Sequence, residues 1–200
     1  MTAPPRIILA SGSVIRANIL RAAGIDFDVE KPGVDESSIK RVAKKEGLDP
    51  EKTAMLLAEA KCNAIASKRD GIVIASDQIL EFTGRIFDKP QTMDEARQRF
   101  IQMQNAWHTL INAIAVARDG HIIWRHLDRP KLFLRALSEK EIDDYLTAAG
   151  PEILDSVGAY QIEKLGSRLF HHIEGDHNAV LGLSLFPLLT LLRREKAIAF

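Results

Sequence analysis

Much of what would place this chain outside a cell or inside a bilayer is missing. It has a single cysteine, Cys62, so no internal disulfide can form, and the composition fits a reducing compartment. The opening residues lack the basic-then-apolar pattern of a secretory leader. The longest apolar tract, "VLGLSLFPLLTLL", is broken by Gly182, Ser184 and Pro187 and is too interrupted to span a membrane. An excess of either charge is missing as well. The 27 acidic residues balance the 27 basic ones, so no global field gathers nucleic acid and any anion site has to be local. No repeat, low-complexity segment or linker stands out. The expectation is a cytoplasmic chain of one domain, residues 1–200, with no nucleic-acid or membrane partner and enough length to bury a substantial core.

What is there alternates between two periodicities. "IILA" (7–10) has the character of a short buried strand, and Ile15, Ile19, Leu20 and Ala23 then recur at helical spacing. "FDVEKPGVDES" begins extended and turns at Pro32-Gly33, which leaves Asp35 and Glu36 in a loop. Residues 50–68 predict a helix that opens on a proline and closes on a lysine. "GIVIAS" (71–76) predicts a buried strand, and "QILEFTGRIF" a hairpin turning at Thr83-Gly84. Thr92 with Glu95, and Ser138 with Glu141, stand at capping-box spacing, and the second helix should stop at Gly150-Pro151. Residues 108–135 predict two strands around Asp119-Gly120, 159–173 a further strand pair, and Ser184 the cap of a closing helix that reaches Arg194. Helices alternating with strands and hairpins predict an α/β fold on a mixed sheet.

Four places could carry chemistry. Ser11, Gly12, Ser13 and Arg16 lie where the first strand hands over to the first helix, and a helix N-terminus suits phosphate. The same residues also fit a capping serine followed by a solvated arginine. Lys61 fills the missing step of the apolar stripe Ala54, Leu57, Ala58, Ala64 and Ile65, so it must either reach out to solvent or meet an anion. Asp77 closes the most apolar strand, where α/β sheets open onto ligand crevices, although aspartate is common wherever strands end. Asp35 and Glu36 could join it as oxygen ligands for Mg²⁺ or Mn²⁺, or form a solvated loop pair. Lys89, in "FDKP", has no independent warrant. His171, His172 and His177 match no zinc spacing, and Trp107 and Trp124 have the setting of packing residues.

Taken in order, "LASGSVIR", "VDE" (34–36), "LAEAK" (57–61), "ASDQIL" (75–80), "DKP" (88–90), "GAYQIE" (158–163) and "IEGDHNAVLGLSL" (173–185) resemble the Maf family of septum-formation inhibitors and nucleoside triphosphate pyrophosphatases. The resemblance covers almost the whole chain. It implies a mixed twisted sheet in two lobes around a deep cleft, a homodimer, and hydrolysis of a nucleoside triphosphate to the monophosphate and pyrophosphate with Mg²⁺ or Mn²⁺. It matches Ser11, Ser13 and Arg16 to phosphate binding, and Glu36, Lys61, Asp77 and Lys89 to the catalytic cleft, with Asp77 and Glu36 as metal ligands. The family's opening motif has an arginine where this chain has Ile15. That change, with Ser76-Asp77-Gln78 and Glu163, resembles the subgroup acting on 7-methyl-GTP and assigns Gln78 and Glu163 to substrate binding. The alternatives are the same hydrolysis on dTTP, UTP or a modified pyrimidine nucleotide, and a weakly catalytic nucleotide-binding regulator of division. The last is favoured by Ile15 and by His177-Asn178.

Overall fold

A computed structural model describes residues 4–200. Eight strands form one open mixed sheet, and seven α-helices cover it among the described residues. The core of the design is a pair of long antiparallel strands, β3 (Ile72–Phe82) and β5 (Ala106–Arg118), in register from Ile72↔Arg118 to Glu81↔Thr109. At one end β3 is flanked by parallel β1 (Ile7–Leu9), which in turn pairs with β2 (Asp28–Val29). At the other end it is flanked by β4 (Arg85–Phe87). β5 is treated likewise, by β6 (His121–Asp128) on one half and β7 (Lys131–Leu134) on the other, with β8 (Phe170–Glu174) beyond β7. Two lobes therefore share two strands.

Each lobe has its own apolar filling. On one face of the sheet, α3 (Pro50–Ala66) buries Ala54, Leu57, Ala58 and Ile65 against Ile8, Val73, Ala75 and Ile79. On the opposite face, α1 (Val14–Ala22) and α7 (Leu185–Arg194) bury Leu20, Leu188 and Leu192 against Leu9, Ile72 and Ile74. The second lobe packs Phe100 and Met103 of α4 (Met93–Met103) and Ile142 and Leu146 of α5 (Glu139–Ala149) around Leu80, Leu110 and Leu132. The division follows from the period of two along β3: odd positions face α3 and even positions face α1 and α7.

Most of the local signals hold. Asp119 and Gly120 both take positive φ (48° and 87°), the backbone that a tight two-residue hairpin needs. The Ser138–Glu141 capping box is complete in both directions, and Gly150 ends α5 at φ 69°. Four expectations are corrected. Asp35 and Glu36 are not in a loop: Asp35 caps α2 (Glu36–Lys45), its carboxylate accepting from the Ser38 amide, and Glu36 is the first helical residue. The 108–135 segment makes three strands, because Arg129-Pro130 breaks the second at a residue that has no amide to donate. Residues 159–173 contribute one strand, β8; before it the chain runs through turns and the 3-10 segment Leu165–Leu169. Ser184 stands at the N-cap of α7 but leaves the helix amides alone, donating its hydroxyl to Asn112 Oδ1 at 3.0 Å.

Candidate active site

The site arises where β3 loses its neighbour. β1 pairs with β3 only as far as Ile74, and the pairing of β3 with β4 starts only at Leu80, so residues 75–79 have a bare edge between the lobes. A cleft of about 980 Å³ opens there. Asp77 sits in the middle of this stretch, opposite Ala113 of β5. It is thus not at the carboxyl end of its strand, as "GIVIAS" alone implied: the flanking strand stops and β3 continues.

As an odd position of β3, Asp77 faces α3, and it meets Lys61 there. Lys61 is 7% exposed, with Nζ 2.6 Å from Asp77 Oδ1 and 2.8 Å from Glu36 Oε1. The lysine on the apolar stripe therefore meets anions, and both come from its own chain. Burial pushes the Glu36 carboxyl up, but the hydrogen bond and charge of Lys61, helped by Lys40 and Lys89, hold it below the usual carboxylate range. Glu36 can reach Lys61 because α2 starts at Asp35, which gives the Asp35 cap a second use: it sets where the carboxylate stands.

Arg16 is held just as firmly. Its Nε donates to the Gly182 carbonyl at 2.8 Å and its Nη1 to the Ser76 carbonyl at 2.7 Å, so it satisfies part of the β3 edge that β1 has left. Burial lowers its pKa, opposed by the charges of Asp77 and Glu36. Ser13 does cap α1, accepting from the Arg16 amide at 3.3 Å, and it also borders the cleft. Ser11 is 5% exposed and does not itself border the cleft; its hydroxyl stands behind two residues that do, accepting from the Ser13 amide at 3.1 Å and from Arg16 Nη1 at 3.5 Å. Gln78, an even position, donates Nε2 to the Ala179 and Val180 carbonyls at 2.9 and 3.1 Å.

These residues share one cavity. Ser13, Arg16, Glu36, Lys61, Asp77, Gln78, Lys89 and Glu163 all border the cleft. Among the described residues no group of three or more His, Cys, Asp or Glu side chains gathers to hold a metal. A family model described as Maf-like protein matches residues 6–195. The chain belongs to the Maf family.

Relatives of this Maf chain align over nearly their full length. A protein named nucleoside triphosphate pyrophosphatase from Hyphomonas neptunium is 43% identical, covering 96% of this chain and 97% of its own. A second protein of that name, from Caulobacter vibrioides, is 42% identical over 96% of each. One named 7-methyl-GTP pyrophosphatase from Brucella suis is 40% identical over 96% of this chain and 98% of its own.

The far wall of the Maf cleft was only partly legible in the motifs: Tyr160 lies in "GAYQIE" but was given no role there, and Val157, Arg99, Lys40 and Gln91, which also border the cleft, lie outside every motif. Tyr160 is fixed by its hydroxyl, 2.7 Å from His108 Nε2, and by an edge-on contact with Phe170 at 4.7 Å. Its ring lies so close over Gly158 that a Cβ there would come within 2.1 Å. For Arg99 a signal did exist: it sits beside Ala96, Phe100 and Met103 on the buried face of α4, as Lys61 sits on that of α3.

Proposed function

We propose that this chain, acting as one catalytic unit, hydrolyses a nucleoside triphosphate between the α and β phosphates, releasing the monophosphate and pyrophosphate. The observation that carries the reading is the convergence, in one cleft between two lobes, of a buried Lys61–Asp77–Glu36 cluster with Arg16 and Lys89. Water attacks the α-phosphorus while the bond to the β-phosphate oxygen breaks, so a proton must leave the water and negative charge must be neutralised on the departing pyrophosphate.

Asp77 is placed to orient that water and take its proton. One of its oxygens is committed to Lys61, while Oδ2 has no hydrogen-bond partner within the described residues. Lys61 bridges the two carboxylates and holds the Glu36 carboxyl below the usual carboxylate range. Arg16 and Lys89, which have no salt-bridge partner among the described residues, are free to neutralise phosphate oxygens. Two carboxylates on hard oxygen, already converging on one positive charge, fit Mg²⁺ or Mn²⁺, which fill their remaining positions with phosphate and water. Asp77 and Glu36 would hold such an ion, and when bound it would polarise the phosphoryl oxygens.

The exposed Glu163 carboxylate on the cleft wall favours a base of positive character, so within this reading 7-methyl-GTP is the preferred substrate, ahead of dTTP and UTP. The reading also takes the working protein to be a cytoplasmic homodimer. The test is a panel of ordinary and methylated triphosphates scored for pyrophosphate against orthophosphate, with kcat/KM for each. Pyrophosphate is expected, highest for 7-methyl-GTP, and Asp77→Asn should lower turnover by on the order of a hundredfold with KM largely kept. Orthophosphate alone, or a folded Asp77→Asn variant with normal turnover, would overturn the mechanism.

A further inference from the structure

Arg99 is a cation in the cleft that this reading leaves unused. It is 8% exposed, and its guanidinium lies over the Phe87 ring, Cζ 5.3 Å from the centroid. Nη1 donates to the Val157 carbonyl, and Nε is buried without a partner. Nη2 makes no hydrogen bond within the described residues, yet it is not among the buried orphan atoms, so it stays reachable from the cleft that Arg99 borders.

No carboxylate closes on this group among the described residues. Glu95, one turn earlier, and Asp88 act on it only from a distance, and Asp88 is already paired with Lys40. An arginine at the surface needs no explanation. A buried guanidinium, always charged and short of one hydrogen bond and any countercharge, does. Lys61 has given its charge to Asp77 and Glu36, and Arg16, tied to two carbonyls, and Lys89 are already assigned to phosphate oxygens in the reading above. A substrate with several negative charges in a row therefore arrives in a cleft where Arg99 still lacks an anion.

We propose that Arg99 is a binding residue for the phosphate chain of the substrate, facing it from the α4 wall. The inference rests on the triphosphate reading and adds a residue to it. Phe87 and the Val157 carbonyl hold the guanidinium plane, so Nη2 is presented with little rotamer freedom to lose.

The experiment is calorimetric titration of the full chain with inorganic tripolyphosphate and, separately, with the nucleoside alone. Arg99→Gln is expected to weaken tripolyphosphate by on the order of ten- to a hundredfold while leaving the nucleoside unchanged, and Arg99→Lys should recover part of the loss. An arginine that only clips the Val157 carbonyl would weaken both ligands alike, or neither, and either result overturns the proposal. The wild-type protein gives a check that depends on no variant folding: the shielded Arg99 Nε–H resonance should shift when tripolyphosphate is added, and an unmoved resonance counts against the proposal. If the wild-type protein releases pyrophosphate but Arg99→Gln binds tripolyphosphate as tightly as before, this inference alone fails. A wild-type protein that neither releases pyrophosphate nor binds tripolyphosphate removes the reading beneath it too.

Discussion

His108 is 2% exposed, bonded through Nε2 to Tyr160 and left without a partner at Nδ1. Burial lowers its pKa from 6.5 to about 4, so the folded protein keeps it neutral. The unfolded chain binds a proton there that the folded chain refuses, so stability is complete above the ordinary histidine value and drains away as the pH falls toward about 4. The shift corresponds to on the order of 3 kcal/mol at the lower end. Urea unfolding at pH 7 and pH 4.5 should show the wild type losing distinctly more stability than His108→Gln, and parallel losses would refute the assignment. Residues of this kind were hidden from the motifs. In "NAWHTLINA" the histidine stands at one alternating position among many, and only the strand's neighbours decide that Tyr160 lies beneath it.

Elements were more legible wherever local chemistry alone decides them. The α5 cap is the plainest example: Ser138 accepts from the Glu141 amide, and the Glu141 carboxylate accepts from the Ser138 amide and hydroxyl. These contacts, together with Arg135, hold the Glu141 carboxyl down to about 2. For a depressed acid the contribution is present above the ordinary value and is lost only as the pH falls through about 2, so at neutral pH the box is complete. Ser138→Ala should cost about 1 kcal/mol in denaturant unfolding, and a change near zero would show that the box contributes little. The α2 cap went unread for a simple reason. Pro32 and Gly33 announce a turn, and the helix behind them buries only Ala43, too little apolar pattern to reveal a 3.6-residue period. The segment 159–169 failed in the opposite sense: its apolar residues pack into the second lobe through turns, with Ala159 at φ 58°, and propensity alone reads them as strand.

Across the whole molecule the Lys61 cluster is also a joint. It ties the start of α2 and the middle of α3 to the bare stretch of β3, so the charges of the cleft and the stability of one lobe are coupled. Removing Lys61 alone leaves the buried Asp77 carboxylate uncompensated, and Lys61→Met is expected to destabilise the protein by about 3–5 kcal/mol. Neutralising its partner in the same chain, Lys61→Met with Asp77→Asn, should return a large part of that loss. Additive losses in a double-mutant cycle of unfolding free energies would show that the two side chains do not depend on each other.

By itself the sequence determined the alternation of strand and helix, the two caps, the Asp119-Gly120 hairpin and the presence of a lysine where an apolar side chain was due, because each of these is set within a few residues by hydrogen bonding or periodicity. Only the tertiary structure decided that β1 ends early along β3 and that the pairing with β4 starts late. That bare edge makes the cleft, turns Asp77 toward Lys61, gives Arg16 two carbonyls to hold and leaves Arg99 facing the cleft. Strand pairing between residues far apart in the chain sets those lengths, and no local pattern encodes them.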